Sequence, residues 1–378
     1  MTKEINDILA AFKEAQLHGR RTALATVVHV EGSSYRRPGA RMLVEDNGRI
    51  TGAISGGCLE GDALRKALLA INQEQNKLVT YNTLHEDEIE FGVQLGCNGI
   101  VHILFEPIDL QQKNNPIVLL EACCRNRKDA VMVTLFSLQR PNDPQPGTCF
   151  FFNEENIYSN IPEKYLEAEI KEAAATVLAG NNSLLMQCKS NALTAFVELL
   201  QPPVSLHIVG AGNDALPLVE MAAVLGWQII VIDGRATHAT SQRFPKANKI
   251  IVGKPVEAIQ QLLVDERTAF VLMTHNYNYD IEMMQLLLQT PCRYIGALGP
   301  KKRMERMFNA LQEQDLYISS EQKEKVYGPT GLDIGAETAE EIALSVMAEI
   351  KAAMSDRKGG LLRNRMEDIH VRTAPVAQ

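Results

Sequence analysis

The chain has 378 residues, of which 46% are hydrophobic, and its formal net charge is −8 at pH 7. This size allows about two or three domains with proper cores, and the acidic balance excludes a global basic field that would hold nucleic acid. No apolar run approaches the roughly 20 residues that a membrane-spanning helix needs, and the N-terminus lacks the apolar core of a signal peptide. We therefore expect a cytoplasmic protein with neither nucleic-acid nor membrane partners.

The first half of the chain has the pattern of an internal repeat. The first round places a strand at 22–30, a hairpin at 40–50, a helix near 59–71, and strands at 77–81 and 100–107. The second round has strand-like runs at 130–136, 147–157, 183–187 and 193–202, with a helix near 165–178 in the same place. This order predicts an N-terminal α/β domain over residues 1–200 that is built from two copies of one unit.

Only the first copy carries the glycine-rich segments 32–39 and 52–61 and the loop 96–99. Glycine at this density is typical of backbone that turns sharply or approaches a ligand closely. Features that the second copy lacks are not needed for folding alone, so we predict a functional site in the first copy.

Several groups in these segments can bind an anion. Adjacent arginines can form forked hydrogen bonds with a phosphate, and consecutive backbone amides can form an anion-binding nest. An acidic residue follows at the start of the next helix. The candidate cofactor-binding residues in the first copy are Arg36, Arg37, Ser55, Gly56, Gly57 and Glu60.

The chain has seven cysteines, an odd count without C-x-x-C spacing, which fits neither a disulfide framework nor a zinc cluster. We therefore predict free thiols and no metal ligands. Cys58 precedes a helix, whose dipole favours a thiolate, and Cys97 lies between two glycines. These two are the candidate reactive thiols, and the alternative for each is a small buried hydrophobic residue.

A new pattern begins after Pro202-Pro203. An apolar strand at 204–209 leads into Gly210 and Gly212 of a G-x-G-x-x-A motif, and the next strand ends at Asp233, 23 positions after the first glycine. Further strands at 269–274 and 293–298 alternate with helices. The pattern predicts a Rossmann-like, doubly wound parallel sheet in a second domain, residues 204–378, which ends in a tail.

Whether this domain binds a nucleotide stays open from the sequence. Asp233 is placed to accept a hydrogen bond from a ribose hydroxyl, and Arg235 offers a phosphate ligand. Asp214, in contrast, would repel a pyrophosphate at the helix N-terminus, and its carboxylate can itself satisfy the free amides there. His275 and Asp280 follow a strand of the same sheet and are the candidates for proton transfer.

Taken together, these segments resemble the xanthine dehydrogenase accessory-factor family (XdhC/CoxI). Its motifs G-S-x-P-R-x-x-G-x-x-M and S-G-G-C-V-E correspond to residues 32–42 and 55–60, and the resemblance covers nearly the whole chain. Tyr35 stands where the family usually has proline, Asn213-Asp214 replaces histidine-valine, and Asn276 replaces an aspartate.

The resemblance implies a chaperone rather than a classical enzyme. Such a protein binds molybdenum cofactor, assists its sulfuration with a cysteine desulfurase, and delivers it to a molybdenum hydroxylase such as xanthine dehydrogenase. We also expect a homo-oligomer. Two alternatives remain: an NAD(P)-dependent oxidoreductase that uses the Rossmann half, and a non-catalytic interaction protein with a vestigial fingerprint.

Overall fold

The computed structural model describes residues 2–82, 99–189, 192–314 and 316–366. These residues form two compact units, one that extends to Pro202 and one that begins at Pro203. The first unit contains two five-stranded sheets and the second contains one six-stranded sheet. Within the described ranges, no helix is both long enough and apolar enough to cross a membrane.

The first unit is a structural duplication, as the sequence predicts. Its first repeat consists of α1 (Thr2–Leu17), β1 (Thr22–Gly32), β2 (Arg41–Glu45), β3 (Ile50–Gly52), α2 (Glu60–Gln73), β4 (Lys77–Asn82) and β5 (Gly99–Pro107). Its second repeat consists of α3 (Pro116–Arg125), β6 (Ala130–Phe136), β7 (Gly147–Phe152), β8 (Ile157–Ser159), α4 (Lys164–Gly180), β9 (Leu184–Gln187) and β10 (Thr194–Leu200). The sheet orders, β3-β2-β1-β5-β4 and β8-β7-β6-β10-β9, match element by element, and all of their pairings are antiparallel.

The central strands of each sheet are covered on both faces. On the first sheet, alternate residues of β1 such as Ala25 and Val27 pack against Ala63 and Ala67 of α2, as the two-residue period of a strand and the near four-residue spacing of a helix require. α4 covers the second sheet in the same way. The opposite faces of the two sheets pack together.

The interface between the two sheets is pseudo-symmetric. The strand registers make Glu106 on β5 equivalent to Glu198 on β10, and Arg41 on β2 equivalent to Thr148 on β7. Each glutamate crosses to the other repeat: Glu106 accepts hydrogen bonds from the Thr148 amide (2.6 Å) and hydroxyl (2.9 Å), and Glu198 forms a buried two-point ion pair with Arg41. The same architecture therefore encloses a charged pair on one side and a carboxyl–hydroxyl pair on the other.

The second unit is a parallel sheet with helices on both faces. Its elements are β11 (Ser205–Val209), α5 (Ala215–Val224), β12 (Gln228–Asp233), β13 (Lys249–Val252), α6 (Pro255–Ile259), β14 (Thr268–Leu272), α7 (Tyr277–Leu287), β15 (Tyr294–Ala297), α8 (Lys301–Glu313), α9 (Ser320–Glu324), β16 (Val326–Tyr327) and α10 (Ala339–Ala353), followed by a short 3₁₀ turn (Leu362–Asn364). The strand order is β13-β12-β11-β14-β15-β16 with parallel pairing throughout. α5 and α10 cover one face, and α7 and α8 cover the other. The predicted doubly wound sheet is confirmed, and the strand order reverses between β11 and β14, where such sheets bind ligands.

Candidate functional site

The two glycine-rich segments of the first repeat lie against each other. The ring of Tyr35, in the loop between β1 and β2, covers Gly56, and a Cβ on Gly56 would be in van der Waals contact with the ring at 3.4 Å. Gly99, at the start of β5, pairs with Gly32, and a Cβ there would be 2.5 Å from the carbonyl oxygens of Glu31 and Ser33. The fold therefore brings the ends of β1 and β5 and the segment before α2 to one place.

The segment before α2 is held by Ser55 and Glu60. The Ser55 hydroxyl donates to the Glu60 carboxylate and accepts from the amides of Gly57 and Leu59, both at 3.1 Å. Glu60 also accepts from the Ser55 amide at 2.8 Å. Burial opposes ionisation of Glu60, but these hydrogen bonds outweigh it and lower the pKa of its carboxyl. The Ser55 hydroxyl oxygen therefore occupies two backbone amides of the segment that the sequence predicts to form an anion-binding nest.

The two predicted phosphate-binding arginines differ in their surroundings. Arg36 forms an ion pair with Glu4 of α1, and its side chain is 27% exposed. The same Glu4 carboxylate accepts from the Arg41 amide at 3.0 Å. Arg37 is exposed to solvent. Arg36 has to leave Glu4 before it can bind an anion.

Cys58 is the predicted reactive thiol that the structure places within this arrangement. Its side chain is half-buried, and its sulfur lies 3.7 Å from the Ser55 hydroxyl oxygen. Burial raises the pKa of Cys149 and of Cys292, which lie in the cores of the first and second units. Cys97 lies outside the described residues.

A group of potential metal ligands on the same strands was not predicted from the sequence. His29, Glu31 and His102 place three ligand atoms within 4.8 Å of one another. Burial and the neighbouring His102 lower the pKa of His29, although Glu31 acts in the opposite direction. The H-x-E spacing of His29 and Glu31 predicts two side chains on one face of a strand, but the pairing of His29 with His102 requires the sheet register.

In the second unit, the predicted ribose-binding acid is already engaged. Asp233 ends β12 and accepts from the Ala211 amide of the glycine-rich loop (2.7 Å) and from the Arg235 amide (2.8 Å), Nε (2.9 Å) and Nη2 (2.8 Å). Burial opposes ionisation, but the Arg235 and Ala211 hydrogen bonds lower the pKa of Asp233. Gly210 has a φ of +127°, and a Cβ there would be 2.5 Å from the Met273 carbonyl oxygen. The loop therefore packs closely on the sheet, and both carboxylate oxygens bind protein donors.

Asp214 does not cap α5 as the sequence predicts. It lies at the N-cap of α5 but makes no capping hydrogen bond, and its carboxylate is instead 2.9 Å from Nε2 of His275. His275 has a φ of +58°, a conformation that costs energy in a non-glycine residue, and its side chain is 69% exposed. The backbone thus holds an exposed imidazole beside a carboxylate at the loop.

Asp280, the other predicted proton-transfer residue, is completely buried. It accepts from the Thr274 hydroxyl and from Nη2 of Arg303, each at 2.6 Å. Arg303 also donates to the Leu298 carbonyl at 2.9 Å. Asp280 therefore joins the loops that follow β14 and β15, and its contacts are those of a structural ion pair.

A duplicated antiparallel α/β unit followed by a Rossmann-type parallel sheet defines a two-part α/β protein. Residues 206–350 match the model of the XdhC Rossmann domain, and residues 15–82 match that of the XdhC and CoxI family. A Bacillus subtilis (strain 168) protein, named as a probable xanthine dehydrogenase subunit, is 32% identical over 327 residues, which are 86% of this chain and 91% of that protein. The chain belongs to the XdhC and CoxI family.

Two further proteins are similar over almost their whole length. The molybdenum cofactor insertion chaperone PaoD of Escherichia coli (strain K12) is 24% identical over 350 residues, covering 93% of this chain and 89% of PaoD. A crystal structure of a Bacillus halodurans protein described as a xanthine dehydrogenase has a TM-score of 0.76 and 29% identity, covering 93% of this chain and 97% of that one. The structural likeness confirms the predicted fold class.

Proposed function

We propose that this protein is an accessory protein that receives molybdenum cofactor as cargo and delivers it to a xanthine dehydrogenase-type molybdenum hydroxylase. The observation that carries the proposal is the contact of Tyr35 with Gly56, which joins the two glycine-rich segments beside Cys58. Two relatives, named as a molybdenum cofactor insertion chaperone and as a component of xanthine dehydrogenase, support the same role.

The chemistry of the first repeat suits this cargo. Molybdopterin carries a phosphate and a metal–oxo centre, so its carrier needs cationic donors, accessible backbone and a soft ligand. Arg37 is an exposed cation, Gly57 has open space beside its backbone, and Cys58 supplies sulfur. We also propose a second role, in which this site holds the molybdenum cofactor while a cysteine desulfurase sulfurates it.

The contacts of Asp233 favour the accessory role over an NAD(P)-dependent oxidoreductase. A ribose hydroxyl would compete with Arg235 and with the Ala211 amide for oxygens that already accept four hydrogen bonds. Calorimetric titration with NAD and with NADP tests this point. We expect no saturable heat, and micromolar binding of either nucleotide would instead favour the oxidoreductase.

The accessory role is tested by the molybdenum and pterin that co-purify with the protein from a host that makes the cofactor. We expect Cys58→Ser and Arg37→Ala to lower both contents at least tenfold with little change in melting temperature, because Arg37 is exposed and Cys58 is half-buried at the margin of the core. Two matched controls should retain the cargo: Arg65→Ala on the exposed side of α2, 72% exposed, and Cys149→Ser in the core. Cys149→Ser should instead lower the melting temperature. Loss of cargo in both controls but not in Cys58→Ser would place the site elsewhere.

A further inference from the structure

Three side chains with metal-binding chemistry meet on one face of the first sheet. His29 and Glu31 are two residues apart on β1, and His102 on β5 is the cross-strand partner of His29. Alternate β1 residues up to Val27 face α2, and a β-bulge between Val27 and His29 reverses this alternation. The bulge thus turns His29 to the face that carries His102.

The separations of the donor atoms suit a small metal ion. Nε2 of His102 lies 3.2 Å from Oε1 of Glu31, and Nε2 of His29 lies 3.7 Å from the same oxygen. Ligands bound to Zn²⁺ at tetrahedral angles are about 3.3 Å apart, because their bonds to the ion are roughly 2.0–2.2 Å long. The two imidazole rings stack with centroids 5.3 Å apart and an interplanar angle of 14°, so they rotate on binding to direct both nitrogens at one ion.

A hydrogen bond with Thr80 sets the orientation of the His102 ring. Thr80 of β4 places its hydroxyl 2.9 Å from Nδ1 of His102, which leaves Nε2 as the ring nitrogen that faces Glu31. Such hydrogen bonds to the outer nitrogen are typical of metal-binding histidines. The exposed fraction of the side chains rises from 8% for His102 to 22% for His29 and 51% for Glu31, so the group opens to solvent at Glu31.

The fold does not require this group. In the second repeat, the positions paired like His29 and His102 are occupied by Phe136 and Thr194. The equivalent strands β6 and β10 therefore pair with an aromatic and a hydroxyl side chain at these positions. The two imidazoles belong to the copy that also carries the glycine-rich segments.

We propose that His29, Glu31 and His102 bind a first-row divalent metal ion such as Zn²⁺ through two imidazole nitrogens and one carboxylate oxygen. This donor set is the one that zinc uses where a coordination position is kept for water or a substrate. Within the described residues, no further histidine, cysteine or acidic side chain joins the group. With only these three protein ligands, a four-coordinate ion would have one position for water or a substrate.

Metal-stripped full-length protein titrated with Zn²⁺, in competition with a chromophoric chelator, tests the proposal. We expect one ion per chain, and His102→Gln or Glu31→Gln should weaken binding by more than the roughly 10–100-fold that an outer-shell change costs. Thr80→Val should weaken Zn²⁺ binding by roughly 10–100-fold. Glu31→Gln alters a half-exposed side chain, so it remains informative if His102→Gln does not fold.

The matched control is His275→Gln, which removes a histidine paired with the Asp214 carboxylate in the second unit. Its Zn²⁺ affinity should equal that of the unaltered protein. Titration with Co²⁺ should give visible bands without a thiolate-to-cobalt charge-transfer band, because the ligands are nitrogen and oxygen. A thiolate band, the absence of saturable binding, or full affinity in Glu31→Gln would each overturn the proposal.

Discussion

Replacement of Glu198 by alanine should strongly destabilise the first unit. Arg41 and Glu198 are 1% and 2% exposed, and the guanidinium also donates to the Gly39 carbonyl at 2.8 Å. Burial opposes the charged form of Arg41, but the Glu198 carboxylate outweighs burial and raises the pKa of Arg41. Arginine is always charged in proteins, so the guanidinium stays charged after the partner is removed. Breaking a buried ion pair from one side costs about 3–5 kcal/mol. For a unit of this size, that cost corresponds to a fall in melting temperature of roughly 6–20 °C.

The assay is urea unfolding and calorimetry of the transition that belongs to the first unit, with the transition of the second unit as an internal reference. The double variant Arg41→Met/Glu198→Leu replaces the pair by hydrocarbon of similar volume, and its stability should be close to that of the unaltered protein. The reasoning is refuted if Glu198→Ala costs less than about 1 kcal/mol, or if the double variant is no more stable than the single one.

Burial raises the pKa of Glu106 to about 7 from 4.5. The native state therefore keeps a proton that the unfolded state loses. The free energy of unfolding should fall by about 3 kcal/mol as pH rises across this window. In Glu106→Gln, urea unfolding at pH 5 and pH 8 should show that this decline is absent; an unchanged decline would exclude Glu106 as its source. Gly52→Ala should cost more than about 1 kcal/mol in thermal unfolding, because Gly52 has a φ of +87° and a Cβ would collide with the Arg41 carbonyl. Asp280→Asn weakens the charge-assisted hydrogen bond from Arg303 and should cost about 2 kcal/mol in the transition of the second unit; an equal loss in the first unit would contradict a local effect.

The sequence predicts most of the fold because its strands are strongly apolar and its glycines mark the turns. Two of the strands that it misses have weak local signals. Strand β13, Lys249–Val252, has one buried residue among four, and β16 has only two residues, so neither stands out as an apolar run. Helices α1 and α3 were also not predicted, although Asn115 and Pro116 provide an N-cap and a favourable first helical position for α3.

The site is less predictable because its chemistry depends on partners distant in sequence. The sequence places Asp233 correctly at the end of its strand, but Arg235 folds back onto it and changes what it can bind. The Ser55 hydroxyl competes for amides that glycine spacing alone would leave to a ligand. His29 and His102 meet only through strand register, which a bulge shifts, and a single sequence carries little information about bulges.

The pseudo-symmetric interface of the first unit resembles a homodimer whose two halves have been joined in one chain. In a homodimer of identical halves, every substitution appears twice, so an arginine at the position of Arg41 would also replace Thr148 and bury a second guanidinium. A covalently joined pair escapes this restriction, because each half is encoded separately. The second half can keep Phe136 and its neighbours as a rigid hydrocarbon support. The first half is then free to accumulate glycines, imidazoles and thiols that a self-paired protomer would have to tolerate in duplicate.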